Sequence, residues 1–164
     1  MTTRRLSWEL LAALVEEAAQ SSRRRQHLNI HWDYADPCQR LLNAIGVDSY
    51  IRPHRHALDP KAECLVAVRG LFALVTFDED GSIREVVRFG TEGHGPAEVL
   101  AVGVELSAGT WHTVIALVPG AVLLELKAGP FDPNAAKEPA SWAPEEGSPH
   151  ATLYLEGLRA AIIG

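Results

Sequence analysis

Pro53-His54-Arg55-His56, followed by Glu63-Cys64-Leu65-Val66-Ala67-Val68 and then Arg69-Gly70, is the stretch that decides the fold. On an extended strand, side chains two apart share a face, so His54 and His56 point together and Arg55 points away. A hairpin connection over residues 57–62 then places Glu63 beside the pair, at the start of the next strand. Two imidazoles and a carboxylate on one sheet face suit a divalent ion: Fe, Mn, Ni, Co or Zn. Downstream, Ser107-Ala108-Gly109-Thr110-Trp111-His112 offers a fourth ligand. Gly109 permits a turn into a new strand, on which His112 points inward and Trp111 away. Three neutral imidazoles and one carboxylate leave two octahedral positions open, as a working metal site requires.

Around this stretch lie short runs rich in Val, Ile, Leu and Phe, separated by Gly, Pro and Asp. They are residues 50–54, 64–68, 71–77, 83–89, 99–106, 113–117 and 121–127. Asp78-Glu79-Asp80-Gly81 reads as a hairpin turn, and Val118-Pro119-Gly120 as a tight connection. Short strands at this spacing, with no helix between them, predict a mainly β antiparallel sandwich or barrel. Before them, Ser7 is a plausible N-cap, and Leu10, Leu11, Leu14, Val15 and Ala18 recur at helical spacing, predicting a helix over residues 7–22. After Lys127 the chain turns polar and Pro-rich to about residue 149, then apolar from Leu153 to Ile163. This reads as a wrapping arm with a terminal helix. The expected organisation is an N-terminal helical arm (1–26), a barrel (27–130) and a C-terminal arm packed on it (131–164), together one domain.

The net charge of −6 is unevenly spread, with five arginines against three glutamates in residues 1–30 and an acidic remainder. An acidic body argues against nucleic acid as a partner. The run Arg23-Arg24-Arg25 reads as a solvated helix end. No apolar run approaches the roughly 18 residues of a membrane span, and Glu9, Glu16 and Glu17 interrupt what a secretory leader would need. A cytoplasmic location is the expectation. Cys38 and Cys64 lie in apolar surroundings and read as small hydrophobes.

His54-x-His56, six residues to Glu63 and six more to Gly70, resembles the first cupin motif, and Gly109-x-x-His112 resembles the second. The gap before Glu63 is longer than in the general motif. Ser107 stands where the second motif usually has Pro, and Ala116 where it has Asn. The chain is further similar to the WbuC family of cupin-fold metalloproteins. The segments that carry this are His27-Leu28-Asn29-Ile30-His31, Gln39-Arg40-Leu41-Leu42-Asn43-Ala44, Ser49 through His56, Gly109-Thr110-Trp111-His112, Glu125-Leu126-Lys127-Ala128-Gly129-Pro130 and Trp142-Ala143-Pro144-Glu145-Glu146. The resemblance implies a double-stranded β-helix (jelly-roll) barrel, one bound divalent metal, and a setting in bacterial surface-polysaccharide synthesis.

With His54, His56, Glu63 and His112 as metal ligands, Tyr50 falls on the histidine face by strand parity, as a general acid or as barrel wall. His27, Asn29 and His31 share one face if extended. They either edge the pocket, with His31 moving a proton and His27 and Asn29 binding substrate, or cap an open barrel end. Arg40 and Lys127 are candidates to hold an anionic group, or are partnered surface charges. Residues 142–146 form a lid or a dimer contact. The functions that fit are isomerase or epimerase chemistry on a sugar or nucleotide-sugar, an Fe(II)/O2 dioxygenase, or a non-catalytic module that binds a sugar-like or anionic small molecule. A homodimer is expected.

Overall fold

The computed structural model describes residues 3–91, 93 and 101–163. Ser7 caps helix α1 (Trp8–Gln20), its hydroxyl accepting from the Leu10 amide at 3.3 Å. Leu11, Leu14 and Ala18 form the buried stripe of α1. The strands are β1 (Arg25–Asn29), β2 (Cys38–Ile45), β3 (His54–Arg55), β4 (Glu63–Arg69), β5 (Leu71–Phe77), β6 (Ile83–Gly90), β7 (Gly103–Leu106), β8 (Trp111–Ala116), β9 (Ala121–Ala128) and β10 (Glu138–Pro139). Helix α2 spans Ala151–Ile163. The strands form two antiparallel sheets, in the orders β1-β2-β9-β4-β7 and β10-β3-β8-β5-β6. This is a mainly β jelly roll with a helix at each end, as the strand pattern predicts.

Strand parity sorts the side chains into three layers. Between the sheets lie Ile45, Leu65, Phe72, Leu74, Phe89, Val114 and Leu123. Outside the first sheet, Leu42, Ala44 and Val122 pack under the α1 stripe. Outside the second, Val75, Phe77, Trp111 and Ile115 pack under Ala140, Ala143, and Leu155 and Leu158 of α2. β5 is therefore covered on both faces, which is why Leu71–Phe77 is buried throughout and shows no polar alternation. Each such Leu or Phe contributes about 1.5–3 kcal/mol by leaving water.

Several expectations need correction. Residues 57–62 are not a hairpin: β3 and β4 belong to different sheets, so Glu63 meets the histidines across the barrel interior. The strand expected over 99–106 is described only from residue 101, with β7 at Gly103–Leu106, and residues 99 and 100 lie outside the described residues. Cys38 is exposed at the start of β2 and so is no core hydrophobe. Arg25 is not a solvated helix end, because it is buried and its guanidinium meets Glu146 at 2.6 Å. That bond ties residues 142–146 to the barrel, while Trp142 packs on Phe77 and Trp111 at centroid distances of 5.0 and 6.0 Å. The arm thus packs on its own chain. Among the described residues, no helix is long and apolar enough to cross a membrane.

Candidate metal centre

Gly109, at φ +78°, makes the turn that Ser107-Ala108-Gly109 needs before β8. One residue into β8, His112 is the direct cross-strand partner of His54 in β3. His56 follows β3, and one ring nitrogen from each of the three imidazoles lies within 4.8 Å of the others. Their second nitrogens are held by the backbone. Nδ1 of His54 donates to the Arg52 carbonyl at 2.9 Å, that of His112 to Thr110 at 2.8 Å, and that of His56 to Ala136 at 2.6 Å. A carbonyl only accepts, so each neutral ring carries its proton on Nδ1 and keeps a lone pair on Nε2. This is how metal-binding imidazoles are oriented.

Glu63, on β4 of the opposite sheet, faces the group. Its Oε2 is 3.3 Å from His56 Nε2 and 3.4 Å from His112 Nε2. Its Oε1 is 3.2 Å from Lys127 Nζ, which also lies 3.3 Å from His56 Nε2. Among the described residues, the three imidazoles alone share the tight mutual spacing, and Glu63 closes on two of them. Burial, reinforced by His112, pushes His54 well below the usual imidazole range, which favours its neutral, metal-ligating form. Burial works the other way on Glu63, but contacts from His112 and His56 and the Lys127 charge hold its carboxyl well below the usual carboxylate range.

The register of the first sheet aligns its inner face. Glu63 pairs with Lys127 and Leu65 with Glu125 across β4 and β9. Leu41 pairs with Glu125 across β2 and β9, and Asn29 with Leu41 across β1 and β2. Leu41, Leu65, Glu63, Glu125, Lys127 and the histidines line a cavity of about 380 Å³. A side lobe of about 270 Å³ opens beside it, and Glu63, Glu125 and Lys127 border both. Glu125 accepts from Asn43 Nδ2 at 2.9 Å. Burial first, and then the Glu63 charge, raise the Glu125 pKa above the usual carboxylate range.

Most residues singled out by the sequence lie at this cavity, with differences. His27 lines both chambers, while Asn29 and His31 line the side lobe. Tyr50 does not face the histidines. Residues 49–53 are not extended as one strand with His54, so parity does not carry across, and the Tyr50 hydroxyl donates to the Pro144 carbonyl at 2.9 Å outside the second sheet. Arg40 takes the surface-pair alternative and not the anion-binding one: it lies between the inward Gln39 and Leu41, points out, and pairs with Asp36 at 2.8 Å. Sequence reasoning missed Glu125 and Asn43. The signal was present, since Glu125 and Lys127 are two apart on one strand and must share a face.

A family model described as a domain of unknown function (DUF6016) matches residues 6–89, half of the chain. No curated protein sequence matches. Among solved structures, protein SO0799 from Shewanella oneidensis is similar at 10% identity and TM-score 0.53, over 84% of this chain and 83% of that one. A structure of oxalate decarboxylase addressing its substrate binding is similar at 16% identity and TM-score 0.50. That likeness covers 70% of this chain and 27% of the other, so this chain spans about a quarter of that enzyme. KdgF from Halomonas sp. reaches TM-score 0.47 at 16% identity, over 67% and 82%. The fold is the cupin double-stranded β-helix, with a three-histidine group inside it suited to a metal ion. By its match over residues 6–89, the chain belongs to the DUF6016 family.

Proposed function

We propose that this protein is a metal-dependent cupin enzyme acting on a small oxygenated ligand, of the isomerase or epimerase type, with His54, His56, His112 and Glu63 holding one divalent ion. The convergence of three imidazoles, each with Nδ1 tied to a carbonyl and Nε2 directed to a common point, carries this reading. An ion held by these residues would supply Lewis-acid chemistry, which is what sugar isomerisation or epimerisation calls for. The chain supplies the rest. Lys127 orients Glu63 and places a positive charge beside it. Glu125, held by Asn43 and with its pKa raised by burial and by the Glu63 charge, takes the acid–base role that Tyr50, outside the second sheet, is too distant to play. A titratable carboxyl at the cavity wall favours catalysis over simple binding. The similarity of residues 23–147 to the WbuC family supports a sugar or nucleotide-sugar ligand in surface-polysaccharide metabolism.

The test is metal content by elemental mass spectrometry on tag-free protein, beside His112→Ala. About one ion per chain, largely lost in the variant while the fold is kept, supports the centre. Iron would direct assays to O2 chemistry, and Mn, Co, Ni or Zn to isomerisation. A wild-type protein that takes up no metal after reloading overturns the reading.

A further inference from the structure

We propose that the side lobe is a second ligand subsite, in which His31 donates a hydrogen bond to an oxygen of a small sugar or sugar acid whose other oxygens reach the three-histidine group. This rests on the reading of that group as a metal centre. The argument begins at the end of a strand pair. Beyond β1, the Ile30 amide still donates to the Arg40 carbonyl at 2.8 Å. In an antiparallel ladder the amide and carbonyl of one residue point to the same side. The Arg40 amide therefore also faces the β1 side, where it meets His31 Nδ1 at 3.0 Å. The Arg40 carbonyl lies 2.8 Å from that same nitrogen, but it already accepts from Ile30, and from the His31 amide at 3.4 Å. An amide only donates, so Nδ1 accepts, and the neutral ring carries its proton on Nε2.

That Nε2–H has no hydrogen-bond partner among the described residues, although His31 is only 7% exposed. A buried donor left unmatched is costly, and such a group calls for an explanation. His31 lines the side lobe, and a ligand oxygen drawn up against its ring would supply the missing acceptor. Asn29, on the same inner face of β1 as His27, adds an amide, and the Lys127 ammonium stands on the border with the metal chamber. Phe131 and Tyr34, edge to face at 5.0 Å, give the lobe an aromatic wall. Donors together with an aromatic surface fit a hydroxylated ring, whose oxygens accept and whose C–H face is apolar. The lobe's volume of about 270 Å³ falls below the roughly 300–1,000 Å³ of pockets for drug-sized ligands. It is the size for one sugar ring.

The test uses His31→Asn in the metal-loaded protein. The Asn Oδ1 stands where Nδ1 was and still accepts from the Arg40 amide, whereas nothing replaces Nε2–H. Neutral hexoses, hexuronic acids and 2-hydroxy acids are screened by calorimetry, and the tightest is titrated into the variant. We expect roughly a tenfold loss of affinity for a hydroxyl contact and more for a carboxylate, with metal content and melting temperature unchanged. The wild-type His31 Nε2–H resonance should also move on ligand addition. Equal affinity in His31→Asn with a static resonance, or no binder in the panel despite a full complement of metal, overturns the subsite. Loss of the metal itself counts against the metal centre, a separate failure.

Discussion

His54 and His112 sit opposite one another across β3 and β8, with ring centroids 4.5 Å apart. Two imidazolium ions at that separation would repel strongly, and His112 is buried while His54 is half-buried beside it and His56. Burial, and then the neighbouring His112 ring, hold His54 well below the usual imidazole range, which suits it to face a positive ion. His54→Gln should lower metal affinity at least about tenfold, since even the outer partners of metal ligands cost that much. Titration with a competing chelator measures it. Unchanged affinity would remove His54 from the ligand set.

Glu125 gives a separate handle on chemistry. Its carboxyl is pushed up by burial and by Glu63, so the folded state favours the protonated form. A group whose folded pKa is raised contributes stability that is full below its unfolded pKa and is lost as pH rises through the folded value. Glu125→Gln abolishes that loss and can still accept from Asn43 through its amide oxygen. The variant should melt no lower than wild type at neutral pH and hold its metal, yet lose turnover by roughly 10²–10⁴-fold, the usual contribution of a general acid or base. Full turnover in this variant would reduce Glu125 to cavity lining.

The barrel was legible because strand alternation and turn chemistry are local. His54, His56 and His112 could be read for the same reason, since parity within one strand or one motif fixes their direction. What failed depended on events between elements. Residues 57–62 cross from one sheet to the other, which no local spacing reveals. Parity does not extend from His54 back to Tyr50, because the strand begins at His54. The pairing of Arg25 with Glu146 joins residues far apart in the chain, and charge alone did not foretell it. Glu125 was overlooked for a different reason: a lone acid in an apolar strand gives no motif until its register against Leu65 and Leu41 is known.

Tyr50 and Arg40 test the corrected placement. Tyr50→Phe removes a hydroxyl bonded to Pro144 and should cost about 0.5–1.5 kcal/mol of stability, with metal content intact. Arg40→Ala breaks an outward pair with Asp36 and should cost under about 1 kcal/mol. Denaturant melts beside metal analysis check both. Metal loss in either variant would mean that it reaches the cavity after all.

The clamp between Arg25 and Glu146 predicts how the C-terminal arm responds to acid. Burial opposes the Glu146 charge, but the Arg25 guanidinium at 2.6 Å outweighs it and holds the carboxyl below its usual value. A group whose folded pKa is depressed contributes stability that is present above its unfolded pKa, and that stability disappears as pH falls through the folded value. The clamp should therefore weaken only below about pH 4.5, the ordinary range of a glutamate. Glu146→Gln takes away this pH-dependent part and leaves Arg25, only 8% exposed, without its counter-charge. With one partner buried and the other partly open, a cost of about 1–3 kcal/mol at neutral pH lies between the surface and buried limits. Thermal melts of both proteins from pH 3.5 to 7 should show the curves converging at the acid end, because protonation then does to the wild type what the substitution did. A gap that stays constant across that range would mean the Glu146 charge contributes nothing, and that the arm is held by Trp142 and α2 alone.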